Sequence, residues 1–226
     1  MSILTLLSSV PIFSDLQNSD LLELSSRMSS RKYKKNEIIL LEDEFGDTFF
    51  IISKGNIKVT RVSEDGREVI LAILGEGDFF GEMSLLDGQA RSANAIANDI
   101  CEVMILKRHD FLSFLEKFPK FSISLLIELA NRIRKSDQQI ENFALSDAEK
   151  RIGVTLLRLA EELGTIKNGI ITIEKLPFQQ DIANMAGTSR ETVSRMLTLL
   201  EKKDLIKRKA HKLNILDYTR FKDTFA

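Results

Sequence analysis

One short segment contains the residue types that hold a phosphate group. Gly81 allows close approach of the backbone, and the helical turn predicted after it, with Met83 and Ser84, presents amide N–H groups to an anion. Arg91 supplies a two-pronged cationic donor, and Glu82 can accept hydrogen bonds from a sugar hydroxyl. As chemistry alone, this segment fits a phosphate cradle, but it also fits a turn beside a surface ion pair.

A second group of residues, nearer the C-terminus, is suited to reading base pairs. Ser189 can cap a helix, so that Arg190, Glu191, Ser194 and Arg195 project from its first turns. Arginine offers guanine O6 and N7 a pair of donors, and glutamate accepts from cytosine N4. This pattern predicts contact with a G/C-containing half-site in double-stranded DNA, with Ser189 and Thr192 also among the candidate DNA-binding residues. Alternatively, the two arginines form surface ion pairs with Glu191.

The elements that position this second group form a helix-turn-helix with a wing. Predicted helices at residues 178–186 and 189–202 flank Gly187-Thr188, and predicted strands at 205–208 and 213–216 form a hairpin. The apolar residues of the second helix fall on its core-facing side, namely Val193, Met196, Leu197 and Leu200. The hairpin is expected to contact DNA phosphates through Lys207, Arg208, Lys209 and Lys212, although these residues also fit a solvated surface.

The phosphate-cradle segment lies in a region predicted to be mainly β. Seven of the 11 glycines fall between residues 46 and 88 and separate short β-rich runs at 49–52, 57–59 and 69–74. Short strands at this spacing, with Gly and Asp-Gly turns between them, are typical of a small antiparallel roll or barrel. Before this region, Asn18-Ser19-Asp20 predicts the start of a helix.

A long helix is predicted after Pro119 and reaches about Leu145. Residues on one face recur at spacings of 3 and 4, namely Leu126, Leu129, Ile133, Ser136, Ile140 and Phe143. This spacing is that of a coiled-coil seam, although an amphipathic helix packed on its own domain has the same pattern. Ser136 favours a dimer helix, because a buried hydroxyl needs a polar partner.

A helix end and a helix start meet at residues 143–147, where Ser146-Asp147 can cap a helix at 148–163. The expected fold class is therefore α+β, in three parts. These are an antiparallel β-roll at residues 1–118, a dimerisation helix at 119–146 and a winged helix-turn-helix at 147–226.

The near-neutral net charge of -1 hides a division along the chain. Residues 1–110 carry 18 acids and 12 bases, whereas residues 148–226 carry 10 acids and 15 bases. After Gly187, ten bases face five acids, on the recognition helix and beyond it. An acidic front and a basic back predict that the two ends meet different partners.

Several classes of protein are disfavoured. Cys101 is the one cysteine, so no intrachain disulfide or multi-cysteine cluster can form within this chain, and it is expected to be a buried strand residue. The first charged residue is Asp15, which does not fit a signal peptide, and no run reaches the ~20 apolar residues of a membrane span. We therefore expect a cytoplasmic protein without membrane contact. With no catalytic triad or metal motif apparent, we expect neither catalytic residues nor a metal site.

The sequence resembles a known family in two independent places. The segment at residues 79–93 resembles the phosphate-binding cassette of cyclic-nucleotide-binding domains, and residues 188–195 resemble the recognition helix of the cyclic-AMP receptor protein (CRP/FNR) family of bacterial transcription regulators. The resemblance covers nearly the whole chain. It implies a β-roll of the cyclic-nucleotide-binding jelly-roll type, a dimerising helix and a winged helix-turn-helix.

Carried over residue by residue, the resemblance implies a role for each candidate ligand-binding residue. Gly81 and Glu82 would bind the ribose 2'-hydroxyl, and Arg91 with Ser92 the cyclic phosphate; Met83 and Ser84 complete the cassette. Ser136 stands where family members that bind cyclic AMP have a hydroxyl residue touching adenine. Asp137 departs from the small hydroxyl or amide residue often found next to it. Its carboxylate can accept from adenine N6, or from N1 and N2 of guanine.

The resemblance also implies an effector and partners. Cyclic AMP is favoured over cyclic GMP as the effector, because Ser136 and the sequence Arg91-Ser92-Ala93 are retained. The expected partners are a second copy of the chain, a near-palindromic operator with TGTGA-like half-sites, and RNA polymerase. The family's iron-sulfur and haem sensors are not expected here, since the chain has one cysteine and only His109 and His211, which we expect at the surface.

Two alternatives stay open from sequence. The DNA binding could be constitutive or respond to another effector, such as a cyclic dinucleotide. The nucleotide-binding domain could instead control a partner protein, although that function would not need Arg190, Arg195 and a basic wing.

Overall fold

The computed structural model describes residues 3–225. The chain divides into two compact units, the first ending at Lys135 and the second beginning at Ser136. The longest helix, α5 (Pro119–Leu145), continues through this division. None of the helices between residues 3 and 225 is long and apolar enough to cross a membrane.

The first unit is a β-roll with helices before and after it. Its other helices are α1 (Ile3–Ser9), α2 (Asn18–Ser26), α3 (Glu82–Asp87) and α4 (Arg108–Lys117). Its strands are β1 (Ser29–Tyr33), β2 (Ile38–Leu40), β3 (Thr48–Lys54), β4 (Ile57–Val62), β5 (Glu68–Leu74), β6 (Phe79–Phe80), β7 (Asn94–Ala97) and β8 (Cys101–Lys107). They form two antiparallel sheets in the orders β1-β8-β3-β6 and β2-β7-β4-β5, which confirms the predicted roll.

Strand β3 is buried on both faces and fixes the start of the cassette. Phe49 and Ile51 face one apolar core together with residues of the helices, whereas Phe50 and Ile52 face the core between the sheets. The ring of Phe50 stacks on Phe80 of β6, with centroids 4.8 Å apart. Because β6 pairs with β3 and ends at Phe80, the backbone leaves the sheet at Gly81 in a well-anchored position.

The second unit contains helices around a four-stranded antiparallel sheet. Its elements after α5 are α6 (Ala148–Leu163), β9 (Gly164–Lys167), β10 (Ile170–Ile173), α7 (Gln179–Ala186), α8 (Arg190–Lys202), β11 (Ile206–Lys209), β12 (Lys212–Ile215) and α9 (Tyr218–Phe225). The sheet order is β11-β12-β10-β9. The predicted helices and hairpin are present to within about one residue at each end, as expected for element boundaries.

Two cap and burial predictions are confirmed by the structure. Asp147 begins α6, its Oδ1 accepting a hydrogen bond of 2.8 Å from the Lys150 amide. Cys101 is buried in β8, and burial raises the pKa of its thiol to about 11, so it stays neutral at pH 7.

Several short elements carry little signal in the sequence. Helix α9 is one, since it depends on packing of Phe221 and Phe225 in the unit's interior. The ring of Phe225 lies against Gly153 of α6, where an added Cβ would come within 2.2 Å of it. Glycine in the middle of a helix lowers helix stability, but here a larger residue would clash with the Phe225 ring.

Candidate effector and nucleic-acid sites

The cassette begins at a glycine that no other residue could replace without strain. Gly81 is in the left-handed region with φ +83°, and α3 begins directly after it. An added Cβ at Gly81 would lie 2.9 Å from Nη1 of Arg91 and 3.0 Å from the carbonyl oxygen of Thr48. Both the dihedral angle and the close contact therefore require glycine.

Arg91 is buried, with 4% of its surface exposed, and it organises the cassette. Its Nη1 donates to the Gly81 carbonyl and to Oγ of Ser84, both at 2.7 Å, and its Nη2 donates to the Thr48 carbonyl at 2.8 Å. Burial lowers the pKa of Arg91, while the carboxylates of Asp47 and Glu82 act in the opposite direction. A buried guanidinium held only by neutral oxygens favours an anionic ligand nearby.

One donor of Arg91 has no partner within the described residues. Its Nε is buried and makes no hydrogen bond, although the other two guanidinium nitrogens are engaged. Gly46 leaves room for the guanidinium, since an added Cβ there would clash with Nε. Sequence reasoning missed Gly46 and Thr48, because their proximity to Arg91 arises only when the roll closes.

Glu82 is buried at the start of α3, and among the described residues only one of its two carboxylate oxygens has a hydrogen-bond partner. Its Oε1 accepts from Nη1 of Arg132 on α5 at 3.0 Å, whereas its Oε2 is buried with no partner in the part of the chain that the structure describes. Arg132 also donates to the carbonyl of Phe79 at 2.7 Å and lies over the Phe79 ring at 4.2 Å. A carboxylate oxygen is thus left to accept from a ligand hydroxyl.

Arg132 is a site residue that the sequence reasoning missed. It lies four residues before Ser136 on α5 and therefore on the same helix face, which is the one local signal that could have indicated it. Its pairing with Glu82 spans 50 positions of sequence and has no local signature.

The structure brings six of the predicted ligand-binding residues together in the first unit, namely Gly81, Glu82, Met83, Ser84, Arg91 and Ser92. Oγ of Ser92 lies 3.6 Å from the sulfur of Met83, and both side chains are exposed. Ser136 and Asp137 lie at the start of the second unit, at exposed positions of α5.

The recognition helix is capped as its sequence suggests. Oγ of Ser189 accepts from the Thr192 amide at 3.2 Å, and Gly187 ends α7 in the left-handed region with φ +57°. The exposed side chains of α8 include Arg190, Glu191, Ser194 and Arg195, while its buried residues are Val193, Met196, Leu197 and Leu200. One face of α8 therefore packs in the domain, and the other exposes polar groups.

The carboxylate of Glu191 is held in its charged form. Its pKa is lowered mainly by a hydrogen bond from its own backbone amide and, to a smaller extent, by one from the Ser189 side chain. The positive charges of Arg190 and Arg195 lower this pKa further. Nη2 of Arg195 also donates to Oγ1 of Thr192 at 3.3 Å. Glu191 is thus an acceptor at neutral pH, which is the state that reads cytosine N4.

The four basic residues of the wing differ in their surroundings. Arg208 is paired with the carboxylate of Glu201, whose pKa this pairing lowers, and Lys212 pairs with Glu174 at 2.7 Å. Lys207 and Lys209 are exposed. The exposed lysines are therefore better placed than Arg208 to meet phosphate groups, because their charges need not leave an existing partner.

Comparison with known proteins identifies two domains in the chain. Residues 30–118 match the family model described as cyclic nucleotide-binding domain, and residues 150–224 match the Crp-like helix-turn-helix domain. With this fold and these two domains, the chain is a DNA-binding transcription regulator with a cyclic-nucleotide-binding domain.

Individual relatives narrow this class to a family. The cyclic AMP receptor protein of Thermus thermophilus is 31% identical over 197 residues, covering 87% of this chain and 88% of that protein. The cAMP-activated global transcriptional regulator CRP of Pasteurella multocida is 37% identical over 191 residues, covering 83% and 88%. The chain belongs to the cyclic-AMP receptor protein (CRP/FNR) family.

Solved structures share the fold. FixK2 from Bradyrhizobium japonicum superposes with a TM-score of 0.79 at 23% sequence identity, covering 88% of this chain and 98% of that one. The arrangement of a β-roll, a long helix and a C-terminal helix-turn-helix is the fold predicted from sequence.

The unequal surroundings of the wing residues can be tested by salt dependence. Lys207→Ala should weaken DNA binding and lower the slope of log affinity against log salt by about 1, as for one lost phosphate contact. Arg208→Ala should change that slope less and lower the melting temperature more, because it removes the partner of Glu201. Fluorescence anisotropy at several salt concentrations measures both slopes. Equal slopes for the two variants would contradict this ranking.

Proposed function

We propose that this protein is a homodimeric transcription regulator whose sequence-specific DNA binding is controlled allosterically by a cyclic nucleotide, with cyclic AMP favoured and cyclic GMP second. One observation carries the proposal. Two polar atoms of opposite character, the Nε donor of Arg91 and the Oε2 acceptor of Glu82, are buried in one cassette with no partner among residues 3–225. Buried polar groups are normally satisfied, so a ligand with both an anion and a hydroxyl fits them.

The cyclic phosphate and the ribose supply these two groups. We assign the phosphate to Arg91 and Ser92, and we include Met83 and Ser84, at the start of α3, in the same binding segment. We assign the ribose 2'-hydroxyl to Glu82, with Gly81 allowing close approach. Arg91 is already held by four backbone and side-chain oxygens, so little side-chain entropy is lost on binding.

The Arg132 side chain connects this site to α5. It donates to Glu82 and to the Phe79 carbonyl, so a ribose hydroxyl on Glu82 would alter the electrostatic surroundings of a residue on the long helix. A ligand shifts a conformational equilibrium only through its different affinity for the two states. The Glu82–Arg132 contact is where such a difference would begin.

The apolar face of α5 supports the homodimer. Leu126, Ile133 and Ile140 of the seam are each more than 60% exposed in the single chain. Contiguous exposed apolar side chains at coiled-coil spacing are typical of a helix that pairs with a second copy. A two-fold dimer would present two recognition helices to half-sites ~34 Å apart on a near-palindromic operator with TGTGA-like half-sites.

Base identity is assigned to Ser136 and Asp137. The hydroxyl of Ser136 supports adenine, and the carboxylate of Asp137 accepts from adenine N6 or from the N1 and N2 edge of guanine. We also propose that RNA polymerase is a partner, that the protein acts in the cytoplasm and that it is not an enzyme. The names of its relatives, which are transcription regulators, support these assignments.

Removing the Arg91 guanidinium should strongly weaken cyclic AMP binding and, with it, the ligand-dependent part of DNA binding. Charge-assisted hydrogen bonds contribute about 1.5–3 kcal/mol each, so Arg91→Ala should lose about tenfold to a hundredfold in affinity. Calorimetric titration of the full-length protein with cyclic AMP, cyclic GMP and a cyclic dinucleotide measures this loss and ranks the effectors.

Arg67→Ala is the matched control for Arg91→Ala, since Arg67 is an exposed arginine of the same unit whose partner is Asp65. A melting curve for each variant reports on folding. Arg91→Lys keeps the positive charge but replaces the planar guanidinium by a single ammonium group. Nucleotide affinity unchanged in Arg91→Ala and Arg91→Lys would contradict the cassette assignment. Tightest binding of a cyclic dinucleotide would favour the alternative effector.

Asp137→Ser should change the preference between cyclic AMP and cyclic GMP, because it removes an acceptor proposed to face the base. The ratio of the two dissociation constants, from the same calorimetric titrations, measures the change. Glu141→Ser removes an exposed carboxylate one turn further along α5 and should leave the ratio as it is. The same ratio in Asp137→Ser and the wild type would place Asp137 on a solvated helix face.

Arg195→Ala should cost about 1–3 kcal/mol on the preferred DNA site and relax the base preference at one position of each half-site. Binding to a library of half-site variants, followed by footprinting, measures both effects. Arg220→Ala, an exposed arginine of α9, is the control. The recognition-helix assignment fails if the footprint and its sequence selectivity are those of the wild type. Absence of any DNA mobility shift in the wild type would instead favour control of a partner protein.

A further inference from the structure

Arg151, which the proposed sites do not use, joins three backbone carbonyls in the second unit. It lies in the first turn of α6 and is partly buried. Its Nη1 donates to the carbonyl of Ser146 at 2.8 Å, its Nε to that of Ala186 at 2.9 Å, and its Nη2 to that of Gly187 at 3.2 Å. All three guanidinium nitrogens are therefore used on main-chain oxygens.

Two of these carbonyls are at the C-terminal end of α7, the first helix of the helix-turn-helix. Ala186 is the last residue of α7 and Gly187 its left-handed cap. The last carbonyls of a helix lack intrahelical donors and carry partial negative charge, so a cation there is favourable. The planar fork of arginine can reach two successive carbonyls at once, whereas the single ammonium group of lysine cannot match that geometry.

The third carbonyl belongs to the end of the long helix. Ser146 directly follows α5, and its amide donates back to Asn142 at 3.1 Å, so it continues the last turn. Arg151 thus holds the end of α5 and the turn of the helix-turn-helix with one side chain. The backbone between Ser146 and Arg151 is short and held in place. Asp147 caps α6, and its carbonyl accepts a hydrogen bond of 3.0 Å from the Arg151 amide.

An apolar contact reinforces the same junction. The ring of Phe143, in the last turns of α5, lies over Gly187, where an added Cβ would be 2.7 Å from Cε1. Gly187 therefore needs to be glycine for its positive φ and for this contact. The recognition helix begins three residues later at Arg190 and packs against α7, so it follows the position of that turn.

We propose that Arg151 and Phe143 form a latch, defined by their contacts with Ser146, Ala186 and Gly187, that makes the recognition helix follow movements of the end of α5. Arg151 is a positioning residue, which touches neither nucleotide nor DNA. This inference rests on the proposed function, since the signal that the latch transmits is the one that cyclic nucleotide sends to DNA.

The test measures the coupling between effector and DNA in the full-length protein. The coupling factor is the dissociation constant for operator DNA without cyclic AMP divided by that with saturating cyclic AMP, from fluorescence anisotropy. Typical allosteric coupling is about 5- to 150-fold. We expect the factor to fall close to 1 in Arg151→Ala and to an intermediate value in Arg151→Lys, which keeps the charge but not the three bonds.

Lys150→Ala is the matched control, because it removes the adjacent exposed cation of the same helix turn. It should keep the wild-type coupling factor. Cyclic AMP affinity without DNA should be that of the wild type in all three variants, since the cassette is in the other unit. Amide hydrogen exchange should rise in Arg151→Ala at residues 143–147 and 186–190 together, which a local loss of packing in α6 alone would not produce.

Each outcome decides between the two proposals. Wild-type coupling retained in a folded Arg151→Ala or Arg151→Lys would overturn the latch while leaving the proposed function standing. No effect of any cyclic nucleotide on DNA affinity in the wild type would overturn both. If Arg151→Ala fails to fold, as a melting curve would show, Arg151→Lys decides the matter by the same coupling factor.

Discussion

The burial of one guanidinium, that of Arg91, is the constraint on which the first unit depends. A buried charge is costly unless hydrogen bonds surround it, and the chain supplies them from Gly81, Ser84 and Thr48. Gly46 must lack a side chain for the guanidinium to fit. The remaining donor, Nε, has no partner among the described residues, and we propose that a bound anion supplies one.

In the DNA-binding unit, most of the positive charges lie at the surface instead of being buried. Its excess positive charge follows Gly187, but pairing with Glu201 and Glu174 occupies Arg208 and Lys212. The exposed charges of this unit include those on the outer face of α8 and Lys207 and Lys209 of the wing. The whole-chain charge of -1 is therefore the sum of two different parts. The first unit is acidic and buries the cation of Arg91, whereas the second is basic and exposes several cations.

Local patterns predicted most of the architecture. The 3.6-residue period and the cap at Ser189 gave α8 its bounds, and glycine spacing indicated the roll. The missed features depend on distant contacts. Arg132 meets Glu82 across 50 positions, Gly46 meets Arg91 across the roll, and α9 exists because Phe225 packs on Gly153. No short window of sequence carries such information, because it arises from packing between elements.

The proposed function is tested most directly by the affinity of the full-length protein for DNA with and without nucleotide. A duplex with two TGTGA-like half-sites would be titrated by fluorescence anisotropy alone, with saturating cyclic AMP and with saturating cyclic GMP. We expect cyclic AMP to tighten binding by about 5- to 150-fold, and to do so more than cyclic GMP. The same affinity in all three titrations would contradict it.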